Sequence, residues 1–233
     1  MPRTFVIGDI HGAFLALKEC LELSKFDYLS DHLICLGDVS DGWPGVRQAI
    51  DELLKIRNII YIMGNHDEWT LNWFQTKNIP ELWLAQGGDS TIKSYSEGIP
   101  DDHVQFLKNT KDYHIEHNRL FVHGGIELDT KLEQQHRDVF LWNRSLVQLA
   151  AYLTSVGSCS QLGAYAEIYV GHTPTLNFNS TSPLKFCNVW LLDTGAGWHG
   201  GVLSMMEVYT GELFQSQPIN KLYPKFKGRK KKI

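Results

Sequence analysis

The 233-residue chain predicts a mixed α/β fold in a single large domain. Three observations carry this. Short apolar, β-branched runs recur along the chain and each stops at glycine or a polar cluster. Helix-period segments separate the early runs, which is the pattern of parallel strands joined by crossover helices. The composition, 43% hydrophobic and 21% charged, is that of an ordinary globular domain with a sizeable core, not of a disordered or repetitive chain.

In order, the runs are 4–7, 32–36, 59–63, 120–122, 168–170 and 189–192, each read as a buried strand. Phe14, Leu15, Leu17, Leu21 and Leu23 form the apolar face of a first helix, and Val46, Ile50, Leu53 and Leu54 that of a second. Residues 68–115 read as mainly helical with Pro and Gly breaks. Residues 189–216 read as strands joined by tight turns, with Thr210-Gly211 turning a hairpin between Val208-Tyr209 and Leu213-Phe214. The number of strands suits two sheets.

Several functions are excluded. No stretch approaches the roughly 20 apolar residues that cross a bilayer. The opening apolar run is too short for a signal peptide and reaches Asp9 at once, so a cytoplasmic protein is expected. Cys20, Cys35, Cys159 and Cys187 form no CxxC pair and are expected as buried or half-buried thiols. The net charge of −4 hides an asymmetry. Residues 221–233 hold seven of the 22 basic residues and no acid, leaving a body of 15 basic against 26 acidic residues, near −11. Such a body disfavours nucleic-acid binding and suits divalent cations. The division expected is a catalytic domain over 1–220 and a basic tail over 221–233 that is frayed and solvated.

The residues at the strand ends carry the chemistry. The first five runs lead into Gly8-Asp9-Ile10-His11-Gly12, Gly37-Asp38-Val39-Ser40-Asp41-Gly42, Gly64-Asn65-His66-Asp67, His123-Gly124-Gly125 and Gly171-His172-Thr173-Pro174. In open α/β sheets, ligands bind at the carboxyl ends of the strands. Any one of these pieces alone reads as a turn or a structural histidine. Together, Asp9, His11, Asp38, Asn65, His123 and His172 supply oxygen and nitrogen donors suited to first-row divalent metals. Six donors for two ions, with one carboxylate shared, leave positions for water and substrate.

The series GDIHG, GDVSDG, GNHD, HGG and GHT, in this order, resembles the calcineurin-like metallophosphoesterase superfamily. Within it the pattern is similar to the phosphoprotein-phosphatase branch, and to bacterial and phage-lambda-type serine/threonine protein phosphatases. The resemblance implies two stacked mixed β-sheets flanked by helices, a four-layer sandwich. It implies Asp9 and His11 at a first metal, Asp38 bridging, and Asn65, His123 and His172 at a second, with two divalent ions, Mn²⁺ foremost and Fe or Zn as alternatives. It also implies hydrolysis of phosphomonoesters, phosphoserine or phosphothreonine in proteins, by a hydroxide bridging the metals. His66 is then the general acid, held by Asp41. Phosphorylated protein or a small phosphate ester is the expected partner.

Two departures stand out. The family's GDxxDRG carries a phosphate-contacting Arg where this chain has Gly42, and Asp67 replaces the commoner Glu. Arg144, in Leu141-Trp142-Asn143-Arg144, is the candidate phosphate-binding guanidinium, whereas Arg47 reads as a surface charge. Trp43, Trp69 and Trp198 are candidates to wall the pocket. His199 reads equally as a substrate contact or an exposed loop histidine, and Asp193 as a turn residue. Two alternatives stay open: a symmetrical diadenosine tetraphosphate hydrolase or phosphodiesterase on the same site, and a non-catalytic metal-dependent binding module.

Overall fold

The computed structural model describes residues 2–229. Strand β1 (Thr4–Ile7) leads through α1 (Phe14–Leu23) to β2 (His32–Cys35), and α2 (Val46–Leu53) leads to β3 (Asn58–Tyr61), which is the expected alternation. Next come α3 (Asn65–Thr76), α4 (Glu81–Trp83), α5 (Asp89–Ser94) and α6 (Asp101–Lys108). Strands β4 (Tyr113–Glu116) and β5 (Arg119–Val122) precede α7 (Arg137–Trp142) and α8 (Ser145–Ser155). The chain continues through β6 (Glu167–Val170), β7 (Leu184–Phe186), β8 (Val189–Leu191), β9 (Ser204–Glu207), β10 (Leu213–Gln215) and α9 (Ile219–Leu222).

Two five-stranded mixed sheets result, ordered β10-β9-β1-β2-β3 and β4-β5-β6-β8-β7. Strands β1, β2 and β3 are parallel, as are β5, β6 and β8, while β9 and the edge strands β4, β7 and β10 pair antiparallel. The central strands read as unbroken apolar runs because both of their faces are covered. On β1, Phe5 and Ile7 face the helices while Val6 faces the other sheet; on β6, Ile168 and Val170 face outward and Tyr169 inward. Val6, Ile34, Leu36, Phe121, Tyr169 and Leu192 fill the space between the sheets, with Phe121 stacked on Tyr169 at 4.9 Å. Helix, sheet, sheet and helix form the four layers.

Local chemistry agrees with the element ends. Asp67 and Glu68 lie in the first turn of α3, and Asp67 accepts from the Gly64 N–H at 3.3 Å. Helix α6 has Asp101 and Asp102 in its first turn and Lys108 in its last.

Four expectations are corrected. Strands β4 and β7 were not foreseen: both lie at sheet edges, and β4 mixes His114 and Glu116 with a half-exposed Ile115, so it shows no apolar run. The β9–β10 hairpin turns through Thr210-Gly211 as expected, but its first strand stops at Glu207 and not at Tyr209, because the Glu207 carboxylate takes the N–H groups of Tyr209 and Thr210. Cys159 and Cys187 are joined in a disulfide across 28 positions, whereas Cys20 and Cys35 are buried thiols. The loop after α8 is brought to the β7–β8 turn by Asn188, whose side chain bonds Leu162 and Tyr165. Finally, residues 221–229 are not frayed. Tyr223 is buried, stacks on Trp43 at 5.4 Å and accepts from the Leu15 N–H at 2.9 Å. The basic residues Lys230, Lys231 and Lys232 lie outside the described residues.

Candidate active site

The carboxyl ends of β1, β2, β3, β5 and β6 meet at one end of the sandwich. Asp9 and His11 follow β1, Asp38 and Asp41 follow β2, Asn65 and His66 open α3 after β3, and His123 and His172 follow β5 and β6; all eight are buried. Crowding explains two of the motif glycines. A Cβ on Gly64 would overlap an Asp38 carboxylate oxygen, and one on Gly171 would overlap Asp9. His11, Asp38, Asp41 and His172 all adopt left-handed backbone, with φ of 49°, 53°, 69° and 59°. Each such residue costs about 1–3 kcal/mol, strain that clusters where a site demands a fixed geometry.

The side chains converge. His11 Nε2 lies 3.9 Å from Asp9 Oδ2 and 3.8 Å from Asp38 Oδ2, and His123 Nε2 lies 3.5 Å from Asp38 Oδ2 and 3.0 Å from Asn65 Oδ1. Asp38 belongs to two donor clusters, one with His11 and His66 and one with His123 and His172. Backbone groups aim the rings: His11 Nδ1 sits 2.9 Å from the Ser40 carbonyl and His123 Nδ1 2.7 Å from that of Leu36. Both leave Nε2 pointing inward, the arrangement in which a ligating histidine has its other nitrogen fixed.

The electrostatics fit divalent cations. Burial, reinforced by Asp193 and Asp38, pushes the Asp9 carboxyl well above its ordinary range. Burial likewise pushes Asp38 up to about 7 despite the nearby Arg229 charge, and raises Asp193. Burial lowers His123 to about 4 and holds His11 and His172 well below the usual histidine value. His172 Nε2 is buried without a hydrogen-bond partner among the described residues. Neutral imidazoles and crowded carboxylates are poor company for each other but good ligands, and bound cations invert this logic.

His66 Nδ1 lies 2.6 Å from Asp41 Oδ2, and the same oxygen accepts from Trp83 Nε1 at 2.8 Å. Thr91 Oγ1 donates to Asp41 Oδ1 at 2.6 Å and accepts from the Asp41 N–H at 2.9 Å. Burial pushes His66 down and Asp41 up, while the 2.6 Å contact fixes the ring through Nδ1 and leaves Nε2 as the nitrogen not bonded to Asp41. Behind it, Asp67 accepts from the Asp38 and Ser40 N–H groups and from Tyr61 Oη at 2.7, 3.1 and 2.9 Å, fixing the β2 loop.

A cavity of about 120 Å³ opens over these groups, lined by Asp38, Asn65, His66, Arg144, His172 and Trp198 among others. Arg144 donates to the His172 carbonyl at 3.4 Å and faces the cavity. Of the three tryptophans, Trp198 lines it. Trp69 stands behind, packed on His66 and Trp142 at 5.1 and 5.2 Å. Trp43 does not reach it: the ring is fully buried and donates to the Ala196 carbonyl at 2.7 Å. Arg47 donates to the Gly98 carbonyl at 3.4 Å at the surface, and Asp193 accepts from the Gly195 N–H at 3.0 Å, as a turn residue does. His199 is exposed and borders a neighbouring hollow of about 490 Å³. Sequence reasoning missed Trp83, Thr91, Gln86 and Arg229, which come from segments without a motif.

Residues 2–209 match the family model described as calcineurin-like phosphoesterase. The chain is similar to serine/threonine-protein phosphatase 1 of Salmonella typhimurium, 25% identical over 88% of this chain and 92% of that protein. It is similar to the symmetrical bis(5'-nucleosyl)-tetraphosphatase of Pseudomonas fluorescens, 24% identical over 92% of this chain and 94% of that protein. The fold is shared with a crystal structure of a proposed diadenosine tetraphosphatase, with a TM-score of 0.70 and 19% identity over 94% of this chain and 96% of that one.

Proposed function

Because the chain belongs to the calcineurin-like phosphoesterase family, we propose that it hydrolyses phosphomonoesters, with phosphoserine or phosphothreonine in proteins as the substrate class. The observation that carries this reading is the convergence of Asp9, His11, Asp38, Asn65, His123 and His172 beside the His66–Asp41 pair and Arg144 around one cavity. In this reading Asp9 and His11 hold one ion, Asn65, His123 and His172 hold another, and Asp38 serves both. Two divalent ions, manganese by preference, would supply an activated water and neutralise phosphoryl charge. In its charged form His66 keeps its Nδ1 proton on Asp41 and gives its Nε2 proton to the leaving oxygen, with Asp41 orienting the ring and stabilising its charge. Arg144 takes phosphoryl oxygens.

The resemblance to a protein phosphatase over most of both chains supports the substrate class. A comparable resemblance to a dinucleotide tetraphosphatase favours a second reading, cleavage of diadenosine tetraphosphate on the same site. Initial rates on a phosphothreonine peptide and on diadenosine tetraphosphate, measured side by side with Mn²⁺, separate the two. The higher kcat/KM is expected on the peptide, and the reverse order would transfer the assignment to the second reading.

A cytoplasmic location belongs to the same proposal, and the catalytic domain expected over 1–220 is proposed to extend to Arg229, because Tyr223 packs on Trp43 and Arg229 lines the cavity. Among the described residues no helix is long and apolar enough to cross a membrane, and the Cys159–Cys187 bridge counts against the cytoplasmic placement.

A further inference from the structure

One wall of the active-site cavity comes from the chain's last described residue. Arg229 lies 218 positions from His11, yet its Nη1 sits 3.0 Å from His11 Nε2. Its N–H donates to the Gly197 carbonyl at 2.9 Å, its Nη2 donates to Gln86 Oε1 at 2.9 Å, and its guanidinium lies over the Trp198 ring at 4.6 Å. Three glycines open the passage. A Cβ at Gly42 or Gly87 would stand 3.3 Å from Arg229 Cγ, and one at Gly197 would stand 3.1 Å from Cδ. The stacked Trp43 and Tyr223 anchor the segment that delivers it.

Every polar partner of this guanidinium is neutral. Among the described residues no carboxylate lies within 4.0 Å of it, and its buried Nε has no partner at all. The Asp9, Asp38 and Asp193 carboxylates lie near enough to feel this charge without bonding to it, and divalent ions held by Asp9 and Asp38 would take up that compensation, leaving a partly buried guanidinium with unused donors beside a cavity for an anion to satisfy. Arg144 faces the same cavity, and the repulsion between the two guanidinia is relieved by a dianion held between them. We infer that Arg229 is a phosphate-binding residue of this site, acting with Arg144 on the phosphoryl oxygens through the space that Gly42 leaves open; the inference rests on the phosphoesterase reading. The His11 contact is consistent with this role. An Nε2 that ligates an ion cannot also accept from Nη1, so ion binding frees that donor while Gly197, Gln86 and Trp198 keep the side chain in place.

The test is the dissociation constant of inorganic phosphate, by calorimetry on the full chain with Mn²⁺, for the native protein and for Arg229→Ala, Arg229→Lys and Lys225→Ala. Arg229→Ala is expected to weaken phosphate by about 10- to 100-fold, the loss typical of a charge-assisted bond, at unchanged Mn²⁺ stoichiometry. Arg229→Lys keeps the charge but not the fork and falls between, while the exposed Lys225→Ala matches the native protein. Methylguanidinium is expected to restore part of the affinity of Arg229→Ala. Unchanged phosphate affinity in both Arg229 variants overturns the assignment. So does tighter Mn²⁺ binding at unchanged phosphate affinity, which would make Arg229 an inhibitory plug. Native protein that binds no phosphate and cleaves no ester overturns the phosphoesterase reading itself.

Discussion

Replacing Asp41 with Asn removes one charge from the His66–Asp41 pair and almost nothing else. The amide can keep the Trp83 bond through its oxygen and turn its NH₂ toward Thr91 Oγ1, so the two contacts that hold the residue survive. The loss is the carboxylate 2.6 Å from His66 Nδ1. Unit charges about 4 Å apart at an effective dielectric of about 20 interact by about 4 kcal/mol. That stabilisation of the imidazolium corresponds to about three decades in rate. On alkyl phosphates such as phosphothreonine peptides, kcat of Asp41→Asn should fall about 10³-fold, with KM changing little. On an aryl phosphate, whose leaving group needs less help, the loss should be under about tenfold. His66→Asn should show the same contrast, and the double variant should be no slower than His66→Asn alone, because the two residues act as a unit. Equal losses on alkyl and aryl esters, or additive losses in the double variant, would refute the proton-donor assignment.

The same contacts fix other outcomes. Without metal, burial pushes the Asp38 carboxyl up to about 7, so between about 4 and that value the folded state holds a proton that the unfolded chain has released. The contribution of such a group to stability is lost as pH rises between those values, and the gain in Tm on adding Mn²⁺ should be larger at pH 8 than at pH 5; equal gains would contradict this. Breaking the Cys159–Cys187 bridge with Cys187→Ser should cost about 3.5 kcal/mol by loop entropy over 28 positions, read from urea unfolding with the unreduced native protein as reference. Burial works to raise Glu167, but bonds from Trp190, Lys185 and Tyr169 outweigh it and hold the carboxylate at about 2. Its stabilisation is present above the unfolded value and lost as pH falls from about 4.5 toward about 2. Glu167→Gln should therefore cost about 1–2 kcal/mol at pH 7 after solvent screening, with the difference vanishing in acid.

The buried parallel strands were legible because a strand covered on both faces must be apolar throughout, and each then ended at a glycine beside a donor. The edge strands β4 and β7 were not, since a half-exposed strand with His114 and Glu116 shows no apolar run, and β4 fell at the end of a segment read as mainly helical. The cluster around Asp38 was legible for the same topological reason: adjacent strand ends are neighbours in space, however far apart in sequence. Long-range partners left no such trace. Thr91 reaches Asp41 across 50 positions and Trp83 across 42, and nothing near Arg229 in the chain points to His11. The basic run around Arg229 reads as solvated until Tyr223 is seen against Trp43. Cysteine spacing was equally silent about the one pair that bonds among the described residues.

If the strand-end donors hold two divalent ions that this chain needs to cleave phosphate esters, bound metal and turnover must rise together. This is tested most directly by stripping the protein with chelator, titrating Mn²⁺ back, and recording bound ions per chain and ester hydrolysis on the same samples. No turnover is expected in the stripped protein, and activity should rise to its plateau as the second ion binds. Asp38→Asn should fail to reach two ions. Full activity in the stripped protein, or two bound ions with no hydrolysis of any monoester, diester or dinucleotide, would contradict the two-ion requirement.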